Sequence, residues 1–297
     1  MGGARVHMRK FLTGMLAMTG LMAGNGCSLF RSTEPPAVQE SYNHVRPSWS
    51  PDGKTVAFTA TIGGVQGIYR IDTSGANVTL MYPGDAVGVT WSPDGNWIAF
   101  SLAGNLYKHS TSMDSTVQLT NSAEDIRPSW SPDGRTIAFL RAGLGIYTFN
   151  VQTDSLQPIF LGGDFPTWHP DGTEIIVLVN DGVIANEALY DIYAVRADTN
   201  LIRDLYSFSA VGIAGFSSMS HDGVDLTFSI DPTTDYVEIW KVSVVTSQAT
   251  QLTTDGGDYP AWSPDGSKIV YTRTTYGDGG LWIMNADGTG KHRLSSP

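Results

Sequence analysis

The side chains that could do chemistry in this sequence fall into two sets. His44, His109, His169, His221 and His292 are scattered, with no His-Glu-x-x-His pair and no second metal ligand at a usable spacing. The denser set is His44 and Arg46, Asp125 and Arg127, Asp164 and Phe165, Phe216, and Asp258 and Tyr259, each standing just ahead of one recurring motif. Guanidinium, carboxylate and aromatic groups brought to one place would form a polar ring able to recognise a peptide or a sugar. The same groups could instead pair with one another and hold neighbouring elements together.

The recurring motif decides which elements position them. It reads Arg46-Pro-Ser-Trp-Ser-Pro-Asp-Gly53, Gly88-Val-Thr-Trp-Ser-Pro-Asp-Gly95, Arg127-Pro-Ser-Trp-Ser-Pro-Asp-Gly134, Phe165-Pro-Thr-Trp-His-Pro-Asp-Gly172, Phe216-Ser-Ser-Met-Ser-His-Asp-Gly223 and Tyr259-Pro-Ala-Trp-Ser-Pro-Asp-Gly266. The equivalent positions Trp49, Trp91, Trp130, Trp168, Met219 and Trp262 are 42, 39, 38, 51 and 43 residues apart, the period of a four-stranded propeller blade. A β-rich run follows each turn, as in Thr55-Val-Ala-Phe58 or Lys268-Ile-Val-Tyr271. A third strand carries an aromatic signature such as Ile68-Tyr69 or Leu281-Trp282, and a fourth reads like Val117-Gln-Leu-Thr120.

The turn is architectural. Proline presets φ, the carboxylates of Asp52, Asp94, Asp133, Asp171, Asp222 and Asp265 bond backbone amides, and Gly53, Gly95, Gly134, Gly172, Gly223 and Gly266 supply the left-handed residue. The tryptophans read as core that fills the wedge between blades, and His169 and His221 read as turn variants. The expected fold is all-β, a six-bladed β-propeller of four-stranded antiparallel blades over residues 44–297. Lys291–Ser295 is expected to supply the last blade's fourth strand, with Ala37–Glu40 as the competing candidate.

These repeats resemble the TolB-type propeller family over about residues 44–297. TolB itself carries a further N-terminal α/β domain, which the segment before His44 does not match. The resemblance implies an envelope protein that binds a protein or peptide partner at its loop face and channel mouth. It also implies the alternatives housed on such propellers, a carbohydrate-active or metal-dependent lyase or hydrolase, or a glycan or small-molecule binder. Related peptidases keep their Ser-His-Asp triad on a separate hydrolase domain. No G-x-S-x-G elbow or phosphate loop occurs in these 297 residues, so the expectation is a non-catalytic chain.

Charge and export signals narrow the class. The net charge of −11 argues against nucleic acid as partner. Cys27 is the single cysteine, which excludes an intramolecular disulfide or a cysteine-rich zinc site. Residues 1–27 read as a signal peptide: basic Arg5, Arg9 and Lys10, an apolar stretch from Phe11 to Ala23, then small residues up to Cys27. Cys27 resembles a lipoprotein attachment site, although Gly24-Asn25-Gly26 lacks the usual aliphatic residue; ordinary signal cleavage is the other reading. Residues 28–43, with Pro35-Pro36, read as a flexible tether.

The expectation is therefore an exported bacterial protein, periplasmic or anchored to the outer membrane through lipid only, with a monomeric propeller. No cofactor is expected. Asp278-Gly-Gly280 and Asn285-Ala-Asp-Gly288 fit hairpin turns as well as they fit calcium ligands, which leaves room for a bound cation. Length variation is expected in second-to-third-strand loops at Thr61–Gln66, Asn180–Ala188, Asp231–Tyr236 and Thr274–Gly279, on the same face as the channel mouth.

Overall fold

The structure is a computed structural model that describes residues 46–184, 187–210, 215–231, 236–273 and 279–295. All of these belong to one compact unit, Glu40–Pro297. The signal segment with Cys27, the tether, His44 and Asp278 lie outside the described residues.

Each blade is one continuous stretch of chain forming a four-stranded antiparallel sheet. The first is β1 (Ser48–Trp49), β2 (Thr55–Ile62), β3 (Val65–Asp72) and β4 (Thr79–Pro83). The second is β5 (Ala86–Trp91), β6 (Trp97–Leu102), β7 (Asn105–Ser110) and β8 (Thr116–Gln118). The third is β9 (Asp125–Trp130), β10 (Thr136–Arg141), β11 (Gly145–Asn150) and β12 (Leu156–Leu161). The fourth is β13 (Asp164–Trp168), β14 (Glu174–Ile184), β15 (Glu187–Arg196) and β16 (Ile202–Ala210). The fifth is β17 (Gly215–Met219), β18 (Asp225–Ile230), β19 (Glu238–Ser243) and β20 (Ala249–Gln251). The sixth is β21 (Asp258–Trp262), β22 (Lys268–Arg273), β23 (Gly280–Asn285) and β24 (His292–Arg293). The C-terminal strand therefore completes the sixth blade, paired through Trp282↔Arg293.

The Ser-Pro-Asp-Gly turn closes on itself. Ser50 Oγ donates to Asp52 Oδ1 (2.6 Å) and accepts the Thr55 amide (3.0 Å), while Asp52 Oδ1 accepts the Lys54 amide (3.1 Å). The Gly53 amide returns to the Ser50 carbonyl (2.9 Å) with φ at +67°, a region only glycine enters without cost. The Ser–Asp bond recurs at Ser92–Asp94, Ser131–Asp133, Ser220–Asp222 and Ser263–Asp265. In the fourth blade His169 replaces the serine, and its Nδ1 lies 3.0 Å from Asp171 Oδ1.

Burial follows the blades. Trp49, Trp91, Trp130, Trp168, Met219 and Trp262 are all buried. Six apolar clusters occupy the six wedges, each mixing residues of two neighbouring blades. One of them packs Trp49, Phe58 and Tyr69 of the first blade against Val270, Leu281 and Leu294 of the last. At that junction the Trp49 indole also donates to the Ala261 carbonyl (3.0 Å).

Two segments expected as loops are strand. Thr61–Gln66 is a hairpin end in which only Gly63-Gly64 turn, at φ of +58° and +81°. Most of Asn180–Ala188 belongs to β14 and β15, which pair as far as Ile184↔Glu187. Cross-strand pairing of β-forming Val179, Val183 and Ile184 outweighed the polar Asn180-Asp181-Gly182 run, which survives only as a bulge between Asn180 and Gly182.

Candidate functional site: the channel mouth

The innermost strand of each blade faces the central channel, and five of these strands share one irregularity. In β5, β9, β13, β17 and β21 the register slips near the strand start. At four of these bulges the residue three before the tryptophan is left-handed: Gly88 (φ 68°), Arg127 (φ 60°), Phe165 (φ 51°) and Tyr259 (φ 53°). For the three non-glycine residues this costs about 1–3 kcal/mol each, and such outliers concentrate where a site needs them. The bulge turns these side chains into the channel instead of along the sheet faces.

Asp164 and Asp258 complete the device. Each accepts the amide of the next, left-handed residue, Phe165 N to Asp164 Oδ1 at 2.7 Å and Tyr259 N to Asp258 Oδ1 at 2.8 Å. Those amides leave the ladder at the bulge and would otherwise lose their partner.

The result is a channel cavity of about 340 Å³ whose mouth carries Arg46, Arg127, Phe165 and Tyr259. Arg127 forms an ion pair with Asp164. Its guanidinium lies 4.0 Å from the Phe165 ring centre, and that of Arg46 lies 5.7 Å from both the Phe165 and Tyr259 rings. Burial and then the neighbouring Arg127 charge lower the Arg46 pKa to about 9, against partial relief from Tyr259, Asp164 and Asp258. Burial likewise raises the Asp258 carboxyl, and burial followed by the Asp258 charge raises the Tyr259 phenol.

The structure brings together Arg46, Arg127, Asp164, Phe165, Asp258 and Tyr259. It does not bring Asp125, which is fully buried and bonded to the Arg141 guanidinium at 2.7 and 3.0 Å, while Arg141 packs on the Tyr147 ring at 4.8 Å. Asp125 stands five residues before its tryptophan, one further than Asp164 or Asp258, and lies opposite Arg141 in the ladder. Phe216 occupies β17 at the position equivalent to Phe165. Two contributors were not anticipated. Gly88 leaves the second blade's place in the ring without a side chain, and His221 joins Pro170 and Pro264 at the far end of the channel. Both occupy motif positions already aligned by the repeat, so their placement was readable. Among the described residues no three His, Cys, Asp or Glu side chains form a metal-holding group.

The channel and its repeat frame can be set beside known proteins. The family described as TolB beta propeller domain matches residues 36–155. TolB from Acinetobacter baumannii superposes with a TM-score of 0.67 at 21% identity, covering 83% of this chain and 62% of that one. This chain is structurally related to the TolB-family propellers. The chain thus spans less than two thirds of the Acinetobacter TolB. A putative TolB from Agrobacterium tumefaciens matches at a TM-score of 0.62 and 22% identity, over 73% of this chain and 84% of that one. At lower identity the same fold is found in enzymes. An oligogalacturonate lyase from Vibrio parahaemolyticus gives a TM-score of 0.56 at 11% identity, over 82% of this chain and 89% of that one. At these identities the likeness to TolB and to the lyase establishes the fold alone. No curated protein matches the chain.

Proposed function

We propose that this chain is a non-catalytic, exported interaction module whose TolB-related propeller binds a segment of an envelope protein at its channel mouth. The carrying observation is the strained ring. Left-handed backbone at Arg127, Phe165 and Tyr259 directs a guanidinium and two aromatic rings into one polar opening beside Arg46. Four of the six blades repeat this left-handed position, and in three of them it carries a large side chain into the opening. Half-buried arginine flanked by aromatic rings is also a composition found where protein interfaces carry their binding energy. Export by the N-terminal segment, with Cys27 as lipid anchor, is part of the same reading and would hold the module at the periplasmic face of a membrane.

The test is in-cell crosslinking and affinity recovery of the native protein beside Arg127→Glu. The substitution places a carboxylate against Asp164 and should abolish recovery of a reproducible partner, while mass spectrometry of the mature N-terminus should find acylated Cys27. Partners recovered equally with Arg127→Glu would refute the mouth as the binding site.

A further inference from the structure

Among the described residues, the fourth blade has longer outer strands than the other five. Its second strand, β14, runs 11 residues, against six to eight in the others. The inner strand β13 opposes it only as far as Leu178, which faces Asp164. Before Asp164 the chain turns away through Gly162 and Gly163, at φ of +85° and +67°, so no side chain from these residues covers the foot of β14. On the other side β14 stays paired with β15, and β15 with β16 out to Ala188↔Ala210. A three-stranded flap therefore rises over the mouth face. Among the described residues, nothing pairs with the channel-side edge of β14 from Val179 to Ile184. At about 3.3 Å per residue that edge is roughly 20 Å long.

A free edge of this length is a template for strand addition, which proteins blunt unless they use it. Asn180, Asp181, Gly182 and Val183 are all exposed. The bulge at Asp181 and the Asn180 side chain, which accepts the Gly182 amide at 2.9 Å, discourage pairing with a second copy of the chain, since Asp181 would meet its own charge. The edge's foot adjoins Asp164, and hence Arg127, with Arg46 across the shared Phe165 ring. Arg127 already pairs with Asp164, but the Arg127 and Arg46 charges still oppose each other there, and a carboxylate set between them would relieve that repulsion.

We infer that the flap's inner edge, Val179–Ile184, receives an extended peptide segment as an added β-strand, with an acidic group of that segment seated between Arg127 and Arg46. This rests on the mouth being the partner site and specifies how the partner is held. Main-chain bonds to β14 would supply affinity, and the arginines would set register and direction.

The test uses a displayed library of random seven-residue segments selected against the full chain. Enriched segments should combine β-forming residues with an Asp or Glu near one end. Replacing residues 181–189 by Gly-Gly, the turn that joins β2 to β3, should weaken their binding about tenfold or more, as expected when most main-chain bonds of an added strand are lost. In the unaltered protein, bound segment should slow amide exchange across 179–183, a readout that does not depend on how the shortened flap folds. If Arg127→Glu abolishes binding while the shortened flap binds normally and 179–183 exchange unchanged, strand addition is wrong and the mouth reading stands. If neither variant alters binding, both are wrong. If no segment is enriched, strand addition is overturned, and partner recovery with Arg127→Glu decides the mouth reading separately.

Discussion

Arg46→Met should make the propeller more stable while impairing what it binds. Burial and the Arg127 charge pull the guanidinium down from its ordinary value to about 9, which at about 1.4 kcal/mol per pH unit corresponds to a few kcal/mol. That figure is a ceiling, because Arg46 as a whole is only half-buried and the open channel admits water that screens its charge. A discounted cost of about 2 kcal/mol, less about 0.5 kcal/mol for lost contact with the Phe165 and Tyr259 rings, leaves a net gain of about 1–2 kcal/mol. For a domain of this size the gain raises the melting temperature by about 2–6 °C. A base whose folded pKa is lowered is penalised fully at pH below the folded value, where it is charged in both states. As pH rises above about 9 the unfolded chain still holds the proton that the folded chain has released, so stability recovers. The advantage of Arg46→Met should therefore be full at pH 7 and shrink above pH 9. Calorimetry of both proteins at pH 7 and pH 10 measures it. A variant less stable by 1 kcal/mol or more at pH 7 would show that Arg46 is a net structural link to Asp258 and Asp164, and would refute the reading of a site that sacrifices stability.

Two further outcomes test the frame around the mouth. Asp125→Ala leaves the Arg141 guanidinium without its bidentate partner in a buried setting and should cost about 3 kcal/mol in urea unfolding, with partner binding kept once the protein is folded. The Asp265 carboxyl is held below its ordinary value by the Ser263 hydroxyl and then by the Ser267 amide, so its contribution is present above the unfolded pKa near 4 and lost as pH falls through the lower folded value. Ser263→Ala should move the acid-unfolding midpoint upward, as followed by tryptophan fluorescence; an unchanged midpoint would mean the turn carries no such linkage.

The repeat made the architecture legible because its period and its turn chemistry are both local. Trp49 to Gly53 states a buried wedge residue, a φ-preset proline, an amide acceptor and a left-handed close within five residues. The mouth was legible where it obeys that same offset, as at Arg127, Phe165 and Tyr259. It was not legible at Asp125, because a one-residue difference in offset reverses the face of a strand and only the ladder reveals Arg141 opposite. The left-handed bulges were hidden for another reason: arginine, phenylalanine and tyrosine do not advertise positive φ as glycine does. The flap reads as a loop in the sequence because Asn180-Asp181-Gly182 carries turn composition, whereas the pairing of β14 with β15 on both sides of that run outweighs it.

The junction of the first and last blades has a consequence for how the molecule assembles. Five wedges join blades that follow one another in sequence, so each can zip onto its predecessor as the chain lengthens. The sixth brings Trp49 to Ala261, separated by 212 positions, and among the described residues no strand is exchanged between the two blades. Its loop-closure entropy falls due in one step, after the other wedges have formed. Until that step the nascent protein is an open arc with two bare apolar flanks, Phe58 and Tyr69 at one end and Val270 and Leu281 at the other. The contact of longest sequence separation and the two apolar flanks that it covers therefore lie at the same seam.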